Sequence, residues 1–209
     1  RRVITSRGYR NAGTCALCLI NPVTITKADE DGQVTDTIEA VRTDTTTRVD
    51  ADETFSDQTK WCRWTTHQYN LIGRMISTRE YHNIPSSGEG TEGPSNNYNQ
   101  TDYGYDSQGR QNMVETPGGT ITRTVFDVHG REVKTYVGTD DTGATDADPT
   151  GGGAQGNNMV PVTEYEYDSG NDGGDGNLTK QTEHVNDLTS RETLFGYDWR
   201  NRRLWPFQD

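Results

Sequence analysis

Apolar and polar residues alternate along most of this chain with a period of two, not the three to four residues of a helix. The alternation is clearest where aromatic residues lie two positions apart, as at Tyr103 and Tyr105 and at Tyr165 and Tyr167. Side chains two apart lie on one face of a β-strand. The pattern therefore predicts an all-β chain with no helix beyond a turn or two.

A six-residue motif follows several of these predicted strands: an aromatic residue, Asp or Asn, two variable residues, Gly or Asn, and Arg. The clearest copies are YNLIGR (69–74), YDSQGR (105–110), FDVHGR (126–131) and YDWRNR (197–202). A fifth copy opens at Tyr167 and carries an enlarged, glycine-rich turn. The residues that define the motif, all expected to be structural, are Tyr69, Gly73, Arg74, Tyr105, Asp106, Gly109, Arg110, Phe126, Asp127, Gly130, Arg131, Tyr167, Asp168, Tyr197, Asp198 and Arg202.

The order of residues in the motif suits a type I turn followed by a bulge. The first turn position favours Asp, whose side chain accepts hydrogen bonds from nearby amides, and the fourth favours Gly, because it needs a positive φ. Asp106 and Gly109 fill these places, as do Asp127 and Gly130. The sequence therefore predicts hairpins that turn at 106–109 and 127–130.

A single hairpin of this size is marginally stable in water, so neighbouring copies must stack strand against strand. The predicted fold is a series of antiparallel β-hairpin repeats stacked into a coiled sheet strip, a β-solenoid or shell segment. In this arrangement we expect the tyrosines of neighbouring copies to meet as a ladder, which we expect to stabilise the sheet.

The strength of the repeat signal divides the chain into two regions. Residues 1–63 form an N-terminal β region with degenerate copies, of which ADEDGQ at 28–33 is one candidate. Residues 64–209 form the repeat region. Two polar stretches within it, at 85–97 and 138–158, are predicted to be inserted surface loops, and they explain the uneven spacing of the copies.

Composition limits the partners that this chain can have. Leu, Ile, Val and Phe make up only 32 of the 209 residues and the net charge is −12, but 31 threonines and ten tyrosines supply material for half-buried strands. Nucleic acid and anionic lipid both require clustered Lys and Arg, which an acidic chain does not offer. No run of 18 apolar residues is present. We therefore expect no nucleic-acid partner and no membrane insertion.

The repeated motif resembles the YD repeats of RHS-repeat proteins, a family that includes the tyrosine-aspartate repeats of teneurins and of bacterial toxin-complex shells. The resemblance runs from about Trp64 to Leu204. It implies a β-sheet strip wound into a hollow shell, in a secreted or cell-surface protein whose role is to enclose or to scaffold. The chain departs from the family in ending with RLWPFQD and in its large acidic inserts, so an open strip or a filament fits as well.

Three cysteines raise the question of a zinc site. Cys15 and Cys18 form a CxxC pair, and Cys62 with His67 could complete a Cys3His set. The 43 residues between the two cysteine groups match no compact zinc module, so a structural disulfide or buried thiols are the favoured interpretation. No nucleophile with a base and an orienting group is recognisable, and we expect the chain not to be an enzyme.

Two acidic loops are better candidates for a hard metal ion. Asp168, Asp172 and Asp175 lie within one glycine-rich stretch, and carboxylates at such spacing are calcium ligands. The second loop holds Asp140, Asp141, Asp146 and Asp148. Neither loop completes an EF-hand pattern, and solvated acidic loops are the alternative. We expect no obligatory cofactor, with calcium as a possible ligand.

Two functions of different class follow from the sequence. The first is a structural YD-repeat segment of an extracellular protein, forming part of a β-shell or fibre. The second is a surface adhesion or carbohydrate-binding module that uses exposed aromatic rows, such as Trp61, Trp64 and Trp199. Burial of these rows favours the first function and exposure the second. Strand-like sequence at both ends predicts self-association or continuation into a longer chain.

Overall fold

The computed structural model describes residues 1–11, 13, 17–49, 53–170, 174–186 and 189–208. Within these ranges the chain forms thirteen β-strands and two single turns of 3₁₀ helix, at Gln58–Lys60 and Asp168–Gly170. None of the described helical segments has the length and apolar character needed to cross a bilayer. The all-β prediction is confirmed.

The strands fall into two compact units, Arg1–Asp102 and Tyr103–Asp209. The first unit contains β1 (Arg2–Arg10), β2 (Leu17–Ala28), β3 (Val34–Ala40), β4 (Trp61–Tyr69), β5 (Met75–Tyr81) and most of β6 (Tyr98–Tyr105). The second contains β7 (Gln111–Glu115), β8 (Ile121–Phe126), β9 (Glu132–Gly138), β10 (Val160–Tyr167), β11 (Leu178–Asn186), β12 (Thr189–Tyr197) and β13 (Arg203–Gln208). In each unit the strands pair antiparallel in chain order, which confirms stacked hairpins.

The 63/64 boundary predicted from repeat strength falls inside β4, whereas the compact units part between Asp102 and Tyr103. The two divisions describe different properties, since one concerns the motif and the other concerns packing. The degenerate copy at 28–33 forms a hairpin turn between β2 and β3. A repeat can therefore lose its aromatic residue and its arginine and still keep the turn.

The motif turns have the geometry that their residues predict. The Asp106 amide donates to the Arg110 carbonyl, and the Gly109 amide donates to the Asp106 carbonyl, both at 2.9 Å. Gly109 has φ +87°, in the left-handed region that only glycine adopts at little cost. The same two hydrogen bonds close the turns that begin at Asp29, Asn70, Thr116, Asp127 and Asp198.

The motif turns share one end of the sheet within each unit. They join β2 to β3 and β4 to β5 in the first unit, and β6 to β7, β8 to β9, β10 to β11 and β12 to β13 in the second. Each repeat is therefore two strands long. The long polar connections, residues 82–97 and 139–159, lie at the opposite end. They contain the predicted inserts 85–97 and 138–158 except for Gly138, which ends β9.

The first unit has an apolar core that runs across five successive strands. Its buried members are Val23, Ile25, Ile38, Ala40, Trp64, Tyr81 and Tyr98. Trp64 stacks on Tyr81 with ring centroids 3.9 Å apart, and Tyr81 contacts Tyr98 at 5.1 Å. Burial raises the pKa of Tyr81 to about 12. The rings that contact one another thus lie outside the motif: Trp64 within β4, Tyr81 at the end of β5 and Tyr98 at the start of β6.

The second unit has a smaller core. Ile121 and Val125 of β8 pack with Tyr136 of β9 and with Met159, which ends the 139–159 connection. Among the side chains that the structure describes in this unit, the four buried ones of this cluster offer limited apolar area for seven strands. The second unit therefore depends more heavily on the polar and cationic contacts at its turns.

Two adjacent glycines test the turn geometry directly. Gly119 has φ +75° and nothing within 4 Å of an added Cβ, whereas Gly118 lies outside the left-handed region. We expect Gly119→Ala to lower the free energy of unfolding by about 1–2 kcal/mol, because an L-residue is strained at that φ. Gly118→Ala should raise it by up to about 1 kcal/mol through the unfolded chain. Urea unfolding of both variants measures the difference; equal stabilities would contradict the turn assignment.

Candidate functional site: a ladder of arginine-capped turns

The carboxylate of Asp106 is the centre of the YDSQGR turn, and its side chain is only 3% exposed. Its Oδ1 accepts the backbone amides of Gln108 and Arg110, both at 2.9 Å. Its Oδ2 accepts Nε of Arg110 at 2.6 Å. One side chain thus pairs two amides of the turn and one guanidinium, which explains why the motif places Asp first and Arg fifth after the aromatic residue.

Arg110 also reaches the next repeat along the chain. Its Nη1 donates to the carbonyl oxygen of Asp127 at 3.1 Å. Its guanidinium lies over the ring of Phe126, with Cζ 4.7 Å from the ring centroid. Such stacking is favourable because the positive charge meets the negative face of the ring. The arginine of one turn therefore holds the aromatic residue and the aspartate of the following turn.

Arg131 repeats these contacts one step further. Its Nε donates to Asp127 Oδ2 at 2.7 Å within its own turn, and Nη1 donates to Asp168 Oδ2 at 3.2 Å in the next. Its guanidinium lies 4.3 Å from the Tyr167 ring centroid. The expectation that motif tyrosines stack on one another was wrong here: an arginine lies over the ring at these positions. We call the series of contacts from residue 105 to residue 168 the arginine ladder.

Tyrosine hydroxyls connect motif turns in the opposite direction. Tyr69 donates its hydroxyl to the carbonyl of Val34 at 3.0 Å, and Tyr197 donates to the carbonyl of Leu178 at 2.9 Å. Each acceptor is the first residue of the strand that leaves the preceding turn. In these two repeats the motif tyrosine thus ties its turn to the previous repeat, whereas Arg110 and Arg131 tie their turns to the next.

Two copies vary the motif within the same geometry. Asn70 replaces Asp and still accepts the amides of Ile72 and Arg74, at 3.1 and 3.0 Å. Asn201 replaces Gly and adopts φ +57°, which asparagine tolerates better than most residues. The turn geometry therefore survives either exchange, although Asn70 brings no negative charge to its turn.

The electrostatics of the turns favour ionised aspartates. Burial of the Asp106 carboxylate by itself raises its pKa, but hydrogen bonds from the backbone and side chain of Arg110 outweigh burial and hold the pKa below its usual value. The same balance lowers the pKa of Asp127, with Arg131 as the partner. At Asp198 the hydrogen bond from the Arg202 side chain is the largest cause of a lowered pKa. The carboxylates consequently stay charged down to acidic pH.

The first candidate calcium loop is partly occupied by internal donors. The Asp168 carboxylate accepts the amides of Gly176 and Asn177, at 3.1 and 3.0 Å, besides the guanidinium of Arg131. Asp175 is exposed, and Asp172 lies outside the described residues. In the part of the chain that is described, no group of three or more His, Cys, Asp or Glu side chains could hold a metal ion.

The second acidic loop folds back along the sheet, a feature that the sequence did not predict. Asp141 pairs with Arg123 of β8, at 2.5 Å from Nη2. Asp146 accepts the amide of Ser107 at 2.9 Å and the side chain of Asn112 at 3.1 Å. The loop starts at the end of β9 that lies opposite the motif turns, so it crosses the length of the sheet to reach Ser107.

The other two aspartates of this loop stabilise its own backbone. Asp140 accepts the amide of Thr142 at 2.9 Å, and Asp148 accepts the amide of Thr150 at 3.0 Å. Hydrogen bonds from the hydroxyls of Thr142 and Thr150 are the largest causes that lower the pKa values of the two aspartates. The four carboxylates of the stretch are therefore bonded to separate partners.

The two cysteines that the structure describes lie on different strands of the first unit, Cys18 on β2 and Cys62 on β4. Cys18 and Cys62 are free thiols, and Cys15 lies outside the described residues. Cys62 is exposed and donates from Sγ to the carbonyl of Glu39 at 3.2 Å. His67 forms a hydrogen bond with the hydroxyl of Thr78 at 3.2 Å from Nδ1. The structure thus gives Cys62 and His67 different partners.

The three tryptophans proposed for carbohydrate stacking differ in exposure. Trp64 is 5% exposed and packed in the core, so its ring faces are not available to a ligand. Trp61 is half-buried and contacts Trp64 edge-on at 5.0 Å. Trp199, in the last motif turn, is 83% exposed, with the Arg200 guanidinium over its ring. The described tryptophans therefore do not form one exposed row.

No protein-family profile and no curated protein matches this chain. Chains in solved toxin complexes align with it. A crystal structure of TcdB2–TccC3 is 12% identical with a TM-score of 0.36, covering 100% of this chain and 11% of that one. A chain in a crystal structure of TcdB2–TccC3 without its hypervariable C-terminal region is 12% identical with a TM-score of 0.37, and the alignment covers 99% of this chain and 10% of that one. A chain in the Photorhabdus luminescens Tc holotoxin pore is 12% identical with a TM-score of 0.35, and the alignment covers 100% of this chain and 10% of that one. The chain spans about a tenth of the length of these chains.

Replacing an arginine of the ladder by lysine tests whether the planar, multiply donating guanidinium is needed at that position. We expect Arg110→Lys to lower the free energy of unfolding by about 1–2 kcal/mol, since one ammonium cannot serve Asp106, the Asp127 carbonyl and the Phe126 ring together. The matched control is Arg191→Lys on exposed β12, which should change stability by less than about 0.5 kcal/mol. Similar losses at both positions in urea unfolding would contradict the ladder.

The lowered aspartate pKa values predict acid sensitivity. A carboxylate whose pKa is lower in the folded than in the unfolded chain contributes stability above the unfolded value, near 4. That contribution is lost as pH falls through the lower folded value. We therefore expect the free energy of unfolding to fall below about pH 4, and Asp106→Asn to make the fall shallower.

A reciprocal variant provides the control for this pH dependence. Asn70→Asp adds a carboxylate at the same turn position of another repeat, so it should make the acid-induced loss steeper. Chemical unfolding at several pH values between neutrality and strong acid measures all three proteins. Identical pH profiles for the wild type, Asp106→Asn and Asn70→Asp would refute the assigned role of the turn carboxylates.

Proposed function

We propose that this chain is a structural YD-repeat segment of a secreted or cell-surface protein and forms part of the wall of a β-shell that encloses other material. The observation that carries the proposal is the arginine ladder, in which Arg110 and Arg131 each hold their own turn and the aromatic residue of the next. Contacts that pass from repeat to repeat can continue for any number of copies. An extended wall requires this property.

The resemblance of the motif to RHS repeats supports the same role. In that family the repeats build a β-sheet that encloses or scaffolds, and four copies here match at four motif positions or by close substitutes. The proposal assigns no catalytic residue and no obligatory cofactor. Arginines supply the positive charge at the turn aspartates, so the ladder needs no calcium.

Aromatic burial favours a wall over an adhesin. The motif rings Tyr69, Tyr105, Phe126, Tyr167 and Tyr197 are half-buried. Guanidinium groups cover a face of Phe126 and of Tyr167, and such a covered face cannot also stack on a sugar. An adhesin that used these rows would need the faces uncovered.

Chemical labelling of the two sheet faces in the natural full-length product tests the wall. Arg191 and Glu192 are adjacent exposed residues of β12, so their side chains lie on opposite faces. Each is replaced by cysteine in turn, in a background where Cys15, Cys18 and Cys62 are serine. The reagents are a small maleimide and a maleimide attached to a long polyethylene glycol.

In an enclosing wall, both cysteines react with the small maleimide and only one reacts with the polymer-linked reagent, because the polymer cannot enter the enclosed space. The same pair of cysteines in the isolated 209-residue chain is the control, and there the polymer-linked reagent should modify both. Equal modification of the two faces in the full-length product would show that the sheet encloses nothing.

A further inference from the structure

The connection between β3 and β4, residues 41–60, borders a cleft of about 350 Å³ at the end of the first unit that lies opposite the motif turns. The side chains that line it are partly apolar and partly charged, and they include Val41, Phe55, Trp61, Arg42, Glu53 and Lys60. Small-molecule sites range from about 300 to 1,000 Å³ and combine apolar walls with a few polar groups. The cleft therefore has room for one ring-sized molecule.

Arg42 fixes the wall of this cleft. It is largely buried, and its Nε donates to Glu53 Oε1 at 2.8 Å. The same guanidinium donates to the carbonyls of Asp44, Thr47 and Arg48, at 3.0, 2.8 and 3.2 Å. Four hydrogen bonds from one guanidinium tie residues 44–48 and the Glu53 side chain to Arg42. The Arg42 side of the cleft is therefore held in place, whereas Glu53 is tied only through its other oxygen, Oε1.

Two unfavourable features lie together in the segment 53–55. Glu53 Oε2 is shielded from solvent, and no group in the described part of the chain donates a hydrogen bond to it. A shielded carboxylate oxygen without a donor costs free energy. Phe55 has φ +51°, a left-handed conformation that is unusual for an aromatic residue. Both costs would fall if this segment shifted and a donor approached Glu53.

The charges around the cleft select a neutral donor. Arg42 already balances Glu53, and Lys60 Nζ lies 3.8 Å from Asp57. Lys27 lies over the Trp61 ring at 5.4 Å. The third lining carboxylate, Asp44, accepts the amide and the hydroxyl of Thr46. These three cations and three carboxylates balance, so they give no net charge that would favour an added ion. The matching ligand carries hydroxyl groups that donate to the carboxylate and an apolar face that packs on an aromatic ring.

We propose that this cleft binds one monosaccharide unit. The segment 53–55 shifts so that a sugar hydroxyl donates to Glu53 Oε2, and the C–H face of the sugar packs on the Phe55 or Trp61 ring. Trp61 reports on this event, because its indole Nε1 donates to the Phe55 carbonyl at 2.8 Å. The site involves neither the motif turns nor the exposed Trp199. A failure of the sugar-binding proposal would therefore leave the proposed role as a shell wall unaffected.

Nuclear magnetic resonance of the ¹⁵N-labelled 209-residue chain tests the proposal. Glucose, mannose and N-acetylglucosamine are titrated separately, with tetramethylammonium chloride and sodium acetate as charged probes. We expect a saturable shift of the Trp61 indole signal with at least one sugar and with neither salt. Glu53→Gln places an amide donor beside the hydroxyl and should weaken binding about tenfold or more.

Two further variants keep the test decisive if Glu53→Gln disturbs the loop. Phe55→Asn accepts the left-handed conformation but removes a ring that also packs against the apolar core. Urea unfolding therefore establishes first that this variant is folded, and its sugar binding should then be weaker than that of the wild type. Trp199→Ala removes an exposed aromatic ring elsewhere and should leave binding unchanged. The proposal is overturned if no sugar gives a saturable shift, if either cleft variant binds as the wild type does, or if tetramethylammonium produces the shift.

Discussion

The pairing of a turn aspartate with the arginine four residues later is the interaction on which the YDSQGR, FDVHGR and YDWRNR turns depend. Exposed ion pairs contribute little to stability, but the Asp106 side chain is almost fully buried and also accepts two amides. Removing the carboxylate would leave turn amides without a partner and would release Arg110 from its place. The arginine is then no longer positioned over Phe126, so damage to one turn reaches the next.

The motif therefore works in two directions along the chain. A tyrosine hydroxyl binds the strand that left the previous turn, as Tyr197 does at Leu178. An arginine binds the turn that follows, as Arg131 does at Asp168. Each repeat is stabilised by its neighbours, which is the nearest-neighbour logic of repeat proteins. The second unit relies on this logic most, because its apolar core is small.

Local chemistry made the β class and the turns predictable, since the Asp106 and Gly109 preferences act within five residues. Contacts between distant residues were not predictable in the same way. The 39 residues that separate Ser107 from Asp146 hide the return of the acidic loop, which the sequence presented only as a polar insert or a calcium ligand. The prediction that motif tyrosines meet one another was wrong for a related reason. Alternation places rings on one face of a strand, but it does not show that an arginine side chain covers them. No sequence pattern marks the cleft at Glu53.

Within each unit the motif turns lie at one end of the strands, so the two ends differ in how far their connections vary in length. Turn length varies little at this end: five turns close with the same two hydrogen bonds, and the enlarged turn after Tyr167 still directs the amide of Asn177 to the Asp168 carboxylate. Connections at the other end of the second unit include the five-residue turn 116–120 and the long segment 139–159, and the strands on either side of each still pair in chain order. Foreign peptides or small domains could be grafted into the connections at that end without disturbing the repeat. The sheet would then display each inserted segment at a spacing set by the strands.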